Sequence, residues 1–148
     1  MKQYGWRLEL LGIPFIVIVG SLLHFSFSWS GYWMPIALIA AVNESVWEHL
    51  KLAFWPGIAW AALEHAWLRP RWSQFWAAKG YALLIAPLLI VSIFYGYTAL
   101  LGRNVLVLDI ATFVAAISVG QIGSAMLNNI PRWTGLSVVV GLILLICQ

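Results

Sequence analysis

The chain has 148 residues, of which 63% are hydrophobic and 9% charged, with a mean hydropathy of +0.91 and a formal net charge of +3. Soluble domains hold roughly 45–50% apolar and about 25% charged residues, so an ordinary soluble fold is excluded and a single integral membrane domain over 1–148 is expected. The basic balance then speaks for membrane topology and against a nucleic-acid partner, and the lone Cys147 excludes a disulfide framework or a cysteine metal site.

Lys2 and Arg7 precede a long apolar run with no A-x-A-like cleavage site, which reads as a retained first helix. The run from about Leu10 to Trp29 has roughly the 20 residues a bilayer core requires. Its polar interruptions, Ser21, His24, Ser26 and Ser28, all fall in its second half. The Gly and Pro of S-G-Y-W-M-P end the helix at Ser30 to Pro35. Ile36 to Val42 is too short to span, so it is expected as a re-entrant or interfacial segment.

V-N-E-S-V-W-E-H-L-K follows at Val42 to Lys51, dense with polar groups in a chain that is otherwise mostly hydrocarbon. Ionisable groups at or inside a membrane boundary are costly and mark function. Asn43 or Ser45 opens a second span to about Leu68, with a kink expected at Pro56-Gly57. After the basic turn R-P-R-W, a third span runs from about Phe75 to Leu101 and a fourth from about Val105 to Met126. The apolar segment 134–148 would be a fifth, shorter span. The expected fold is an all-α bundle of about five transmembrane helices.

Lys and Arg concentrate on the cytoplasmic side of a membrane protein. With the N-terminus inside, that side holds Lys2, Arg7, Arg69, Arg71, Lys79 and Arg132, against Arg103 and Lys51 outside. This puts the N-terminus in the cytoplasm and the V-N-E-S loop on the outer side. At about 1.5 Å per residue, His24, Glu48, His49, Tyr95, Tyr97, Thr98 and Asp109 all fall roughly 5–10 Å below the outer surface. Four helices thus bring polar groups into one layer.

On a helix, Glu44, Glu48, Lys51 and Trp55 would share a face, with His49 about 100° round from Glu48. His24, His49, Glu44 and Asp109 offer imidazole and carboxylate ligands suited to a divalent Zn, Mn or Fe ion. Asn43, Glu44, Glu48, Lys51, Tyr95, Tyr97 and Asp109 are the candidate substrate or ion contacts. In an enzyme, His24, His49 and Asp109 would hold the metal while Glu48 served as general base on bound water. Carboxylates and histidines also relay protons in membrane proteins.

Structural readings compete with each of these. Ser45-x-x-Glu48 matches a capping box, and Glu48 with Lys51 matches an i, i+3 ion pair. Asp109 could cap the fourth helix or hold Arg103. A further pair, Glu64 and His65, lies at the inner end of the second span, where Glu64 with Lys79 would make a structural ion pair. The alternative there is a proton or ion path along the helix, using Pro56-Gly57 as a hinge or backbone gap.

At V-N-E-S-V-W-E-H-L-K the chain resembles a family of small bacterial membrane proteins of unknown function. The likeness takes in L-H-F-S-F-S-W-S-G (Leu23 to Gly31) and Y-G-Y-T-A-L-L-G-R-N (Tyr95 to Asn104) followed by Asp109, over roughly residues 15–125. Ala41 stands where that family usually has Pro before the motif. The resemblance implies a multi-helix protein of the bacterial cytoplasmic membrane and singles out His24, Asn43, Glu44, Trp47, Glu48, His49, Lys51 and Asp109. It implies no activity. Three functions therefore stay open: binding or transport of a divalent cation or small polar solute, metal-dependent hydrolysis or lipid modification within the membrane, and an accessory subunit in an oligomer.

Overall fold

The computed structural model describes residues 2–68 and 72–128, and among them every regular element is helical. Helices α1 (Lys2–Trp29), α2 (Val46–Leu68), α3 (Trp72–Leu101) and α4 (Leu106–Asn128) pack in a closed ring, each against its neighbours in the chain and α1 against α4. Three of them, over Gly5–Trp29, Phe75–Leu101 and Leu106–Asn128, are long and apolar enough to cross a membrane, as in an integral membrane protein. Helix α2 matches them in length but carries Glu48, Lys51, Glu64 and two histidines. Five transmembrane helices are thus not what the described residues contain. The expected fifth span, 134–148, the R-P-R turn, Arg132 and Cys147 lie outside them.

The ring closes on an apolar middle. Ile16, Ala53, Trp60, Ala86, Ile90, Ala116 and Ile117 form one buried cluster with contributions from all four helices. Much of the outer surface is also apolar, with Leu100, Leu106 and Val107 exposed, as lipid contact requires. Helix α1 ends in a Schellman arrangement: Gly31 takes φ 69°, its amide donates to Ser28 O (3.1 Å) and the Tyr32 amide donates to Phe27 O (3.0 Å).

The expected re-entrant segment proves to be a 3₁₀ helix, Met34–Leu38, clamped from α2. Lys51 Nζ donates to Ala37 O (2.8 Å) and Trp55 Nε1 donates to Leu38 O (3.0 Å). The kink expected at Pro56-Gly57 is also a packed site. Helix α2 runs through Pro56, and both residues are buried, with space at Gly57 taken up by Leu83. The backbone gap that a path along α2 would use is therefore filled.

The end of the bundle that holds the start of α1 is tied by a buried ion cluster. Lys79 Nζ lies 2.6 Å from Glu9 Oε2 and 2.5 Å from Glu64 Oε2, and all three side chains are at most 2% exposed. Ser124 Oγ adds a hydrogen bond to Glu9 Oε1 (2.7 Å). All four helices thus meet through one ammonium group. The Glu64–Lys79 pair expected as a structural contact is present, so Lys79 does not act as a loop charge that sets topology. Removing one partner of a buried ion pair leaves an uncompensated charge and costs roughly 3–5 kcal/mol. Lys79→Met, which strands two carboxylates, should destabilise the protein by about that amount in detergent unfolding. Glu64→Gln, which leaves one carboxylate on one ammonium, should be tolerated.

Candidate metal centre between the first two helices

The V-N-E-S-V-W-E-H-L-K motif divides between two tasks. Most of it builds a turn. Asn43 Oδ1 accepts from the Ser45 amide (2.9 Å), and Ser45 Oγ caps α2 by accepting from the Glu48 amide (3.4 Å). Glu48 completes only part of the expected capping box. Its carboxylate reaches past Ser45 to the Val42 amide (3.0 Å) and pairs with Lys51 Nζ (2.6 Å). Asn43, Glu48 and Lys51, expected to contact substrate or ion, are thus engaged in holding the chain. The general-base assignment for Glu48 meets the same geometry, since its carboxylate is committed to a backbone amide and an ammonium.

Glu44 and His49 carry the second task. Helix α2 begins at Val46, so Glu44 lies in the preceding turn and not on the helical face of Glu48, Lys51 and Trp55 as the spacing suggested. It swings towards the histidines. Its Oε2 is 3.5 Å from His49 Nε2 and 3.6 Å from His24 Nε2, and the two imidazole nitrogens are 3.2 Å apart. His49 Nδ1 lies 2.8 Å from Ser45 O. A carbonyl can only accept, so Nδ1 carries the proton, and in the neutral ring Nε2 presents a lone pair to the triangle. His24 is positioned by packing, with Phe25 at 4.8 Å and His49 at 5.1 Å between ring centroids. Its Nδ1 is buried without a hydrogen-bond partner among the described residues.

The helices set this geometry. Gly20, one turn below His24, lets α1 lie directly on α2: a Cβ there would meet Leu52 O at 2.5 Å. That close approach brings His24 within reach of His49. The resulting triangle has metal dimensions. With ligands at about 2.0–2.1 Å, tetrahedral zinc separates adjacent donors by about 3.3–3.4 Å, close to the three spacings above. Of the four predicted ligands, His24, Glu44 and His49 converge within 4.8 Å, a set that does not include Asp109.

The triangle stands at the rim of a cavity of about 510 Å³, within the usual range for small-molecule sites. Asp109 lines the same cavity and accepts a hydrogen bond from the Tyr97 hydroxyl. Of the residues expected in one polar layer, His24, His49 and Asp109 line this cavity, and Tyr97 is tied to it through Asp109. Tyr95 is exposed and outside this group. Thr98 donates to Phe94 O (2.7 Å) within its own helix.

Glu9 is the charged residue that the motif-based reading passes over. Its signal was an acid flanked by leucines inside the first helix, and placing the start of that span at Leu10 hides it.

Residues 2–148 match a family of unknown function (DUF6512). No curated protein and no solved structure matches the chain. Partners that orient ligands from outside the coordination sphere typically contribute 10–100-fold to metal affinity. Glu48→Gln should therefore weaken zinc binding by about tenfold without abolishing it, as measured by competition with a chromophoric chelator.

Proposed function

The chain belongs to the DUF6512 family of unknown function, and from its geometry we propose that it is a membrane-embedded, metal-dependent enzyme. The observation that carries this reading is the triangle of His24 Nε2, His49 Nε2 and Glu44 Oε2 at the rim of a large cavity. Three protein ligands of two imidazoles and one carboxylate form the donor set of catalytic zinc, which keeps a fourth position for water or substrate. At His24, Glu44 and His49 a divalent ion would lower the pKa of a bound water towards neutrality and polarise a carbonyl or phosphoryl oxygen. Zinc fits the spacings, and manganese or iron could use the same donors.

The roles of the chain's own residues follow from their contacts. His49 is held by Ser45 O in the tautomer that offers Nε2. Glu48 and Lys51 are positioning residues that fix the turn carrying Glu44. Asp109, hydrogen-bonded by Tyr97, is the carboxylate on the wall of the same cavity and would be the proton acceptor there.

Transport of a divalent cation or solute is the second reading. A permeation route needs polar groups in both halves of the bundle. Here the apolar cluster of Ile16, Ala53, Ala86, Ile90, Ala116 and Ile117 lies between the two polar ends. The void that Ile16, Ala53, Ala86 and Ile117 line together with Lys79 and Gln121 measures about 20 Å³, room for one water. A site closed on its inner side favours chemistry over passage. In this reading the protein sits in the bacterial cytoplasmic membrane with the metal centre on the outer side.

Proteoliposomes loaded with a zinc-sensitive dye and supplied with a chromogenic acyl ester separate the two functions. The enzyme reading expects metal-dependent ester cleavage that is lost in His24→Ala, with no zinc entering the vesicles. Zinc uptake without cleavage would replace it with transport.

A further inference from the structure

The cavity below the metal triangle has a lining and an opening that identify its occupant. Its walls are mostly apolar, with Val17, Leu52, Ile90, Phe94, Phe113 and Val114, and its ionisable groups His24, Glu44, His49 and Asp109 gather towards one end; the deeper polar groups are two hydroxyls, Thr112 and Ser21, the latter donating to Val17 O. On α1 the lining descends from His24 to Val17, about 10 Å along the helix. Ser21 and Phe25 on α1 and Leu106 and Ile110 on α4 also line the cavity, and all four are exposed. The opening thus lies at the α1–α4 seam, on two helices apolar and long enough to cross the membrane. In a bilayer such a seam faces lipid.

We propose that the cavity binds a single fatty-acyl chain that enters from the bilayer between α1 and α4, placing an oxygen-bearing head group at His24, Glu44 and His49. This rests on the metal-enzyme reading for the head group and on the cavity alone for the chain. The division of chemistry supports it. A free polar solute would leave the apolar floor without a partner, and a wholly apolar ligand would leave the rim carboxylates and imidazoles unanswered. An amphiphile satisfies both. Its head lies where the ester, amide or phosphate bond of a lipid would meet the metal, and its chain replaces one apolar surround with another.

The test uses the full-length protein in lipid nanodiscs with a fatty acid bearing a photoreactive diazirine at its tail end, followed by peptide mapping. The expected labels fall on Val17, Leu52 and Ile90. Val114→Phe fills the cavity. The ring excludes the chain by overlap, so this labelling should be lost, while metal content stays at the wild-type level. Ile110→Phe, at the seam, should also reduce it and guards against a folding defect in the first variant. Labels spread over outer-surface residues such as Leu100 and Val107, or cavity labelling unchanged by both variants, would overturn the proposal. His49→Ala separates the two layers of the argument. Cavity labelling that survives in it unaltered counts against the metal as head-group anchor and leaves the chain site standing.

Discussion

Lys79 places one ammonium between the carboxylates of Glu9 and Glu64, out of water and at one end of the bundle. Charges buried in this way must be matched by their own neighbours, because neither lipid nor packed side chains can solvate them. The match here draws one side chain from each of α1, α2 and α3, and α4 joins through Gln121, which accepts from Lys79 Nζ (3.4 Å), and through Ser124, which donates to Glu9. Side chains from four helices meeting at one nitrogen fix the relative heights of those helices. The bundle is thereby pinned at this end, and the apolar cluster extends the contact towards its middle. The opposite end needs no such closure. There the helices enclose a cavity of about 510 Å³ with imidazoles and carboxylates at its rim.

The arrangement at that rim depends on a division of labour in ten residues. A loop carboxylate such as Glu44, whose side chain is 83% exposed, is a poor ligand unless the backbone holding it is fixed. Asn43, Ser45, Glu48 and Lys51 supply the fixing through short-range hydrogen bonds and one ion pair. Lys51 and Trp55 then fasten the preceding 3₁₀ helix to α2. The capping and ion-pair readings of the motif therefore do not compete with a metal centre; they describe the frame on which such a centre would be mounted. Gly20 contributes from the opposite side by allowing the α1–α2 contact.

The helical bundle and its polar layer were legible because hydrophobic length and the distance of each polar residue from a helix end are one-dimensional quantities. His24, His49 and Asp109 could be placed at one depth from spacing alone. The partner choices were not legible in the same way. The position of Glu44 depended on which of Asn43 and Ser45 opens α2; Ser45 does, as the cap before Val46, and this puts Glu44 in a turn facing the histidines and not on the helical face of Glu48. Glu48 looked like a base because carboxylates beside histidines often are, and the spacing did not show that its Oε2 is shared by Lys51 and the Val42 amide. Glu9 was obscured because its partners, Lys79 and Ser124, are far away in sequence, and such meetings are set by packing. The Glu64–Lys79 pair spans a single helix hairpin, which made it easier to anticipate.

The central claim is that His24, Glu44 and His49 hold a metal ion. Elemental analysis of purified, detergent-solubilised protein, with wild type beside His24→Ala and His49→Ala, tests it most directly. The account predicts one equivalent of a zinc-class metal per chain in the wild type, lost in both variants while their thermal unfolding remains cooperative. A well-folded wild type that takes up no metal, or a stoichiometric ion retained in both variants, would contradict it.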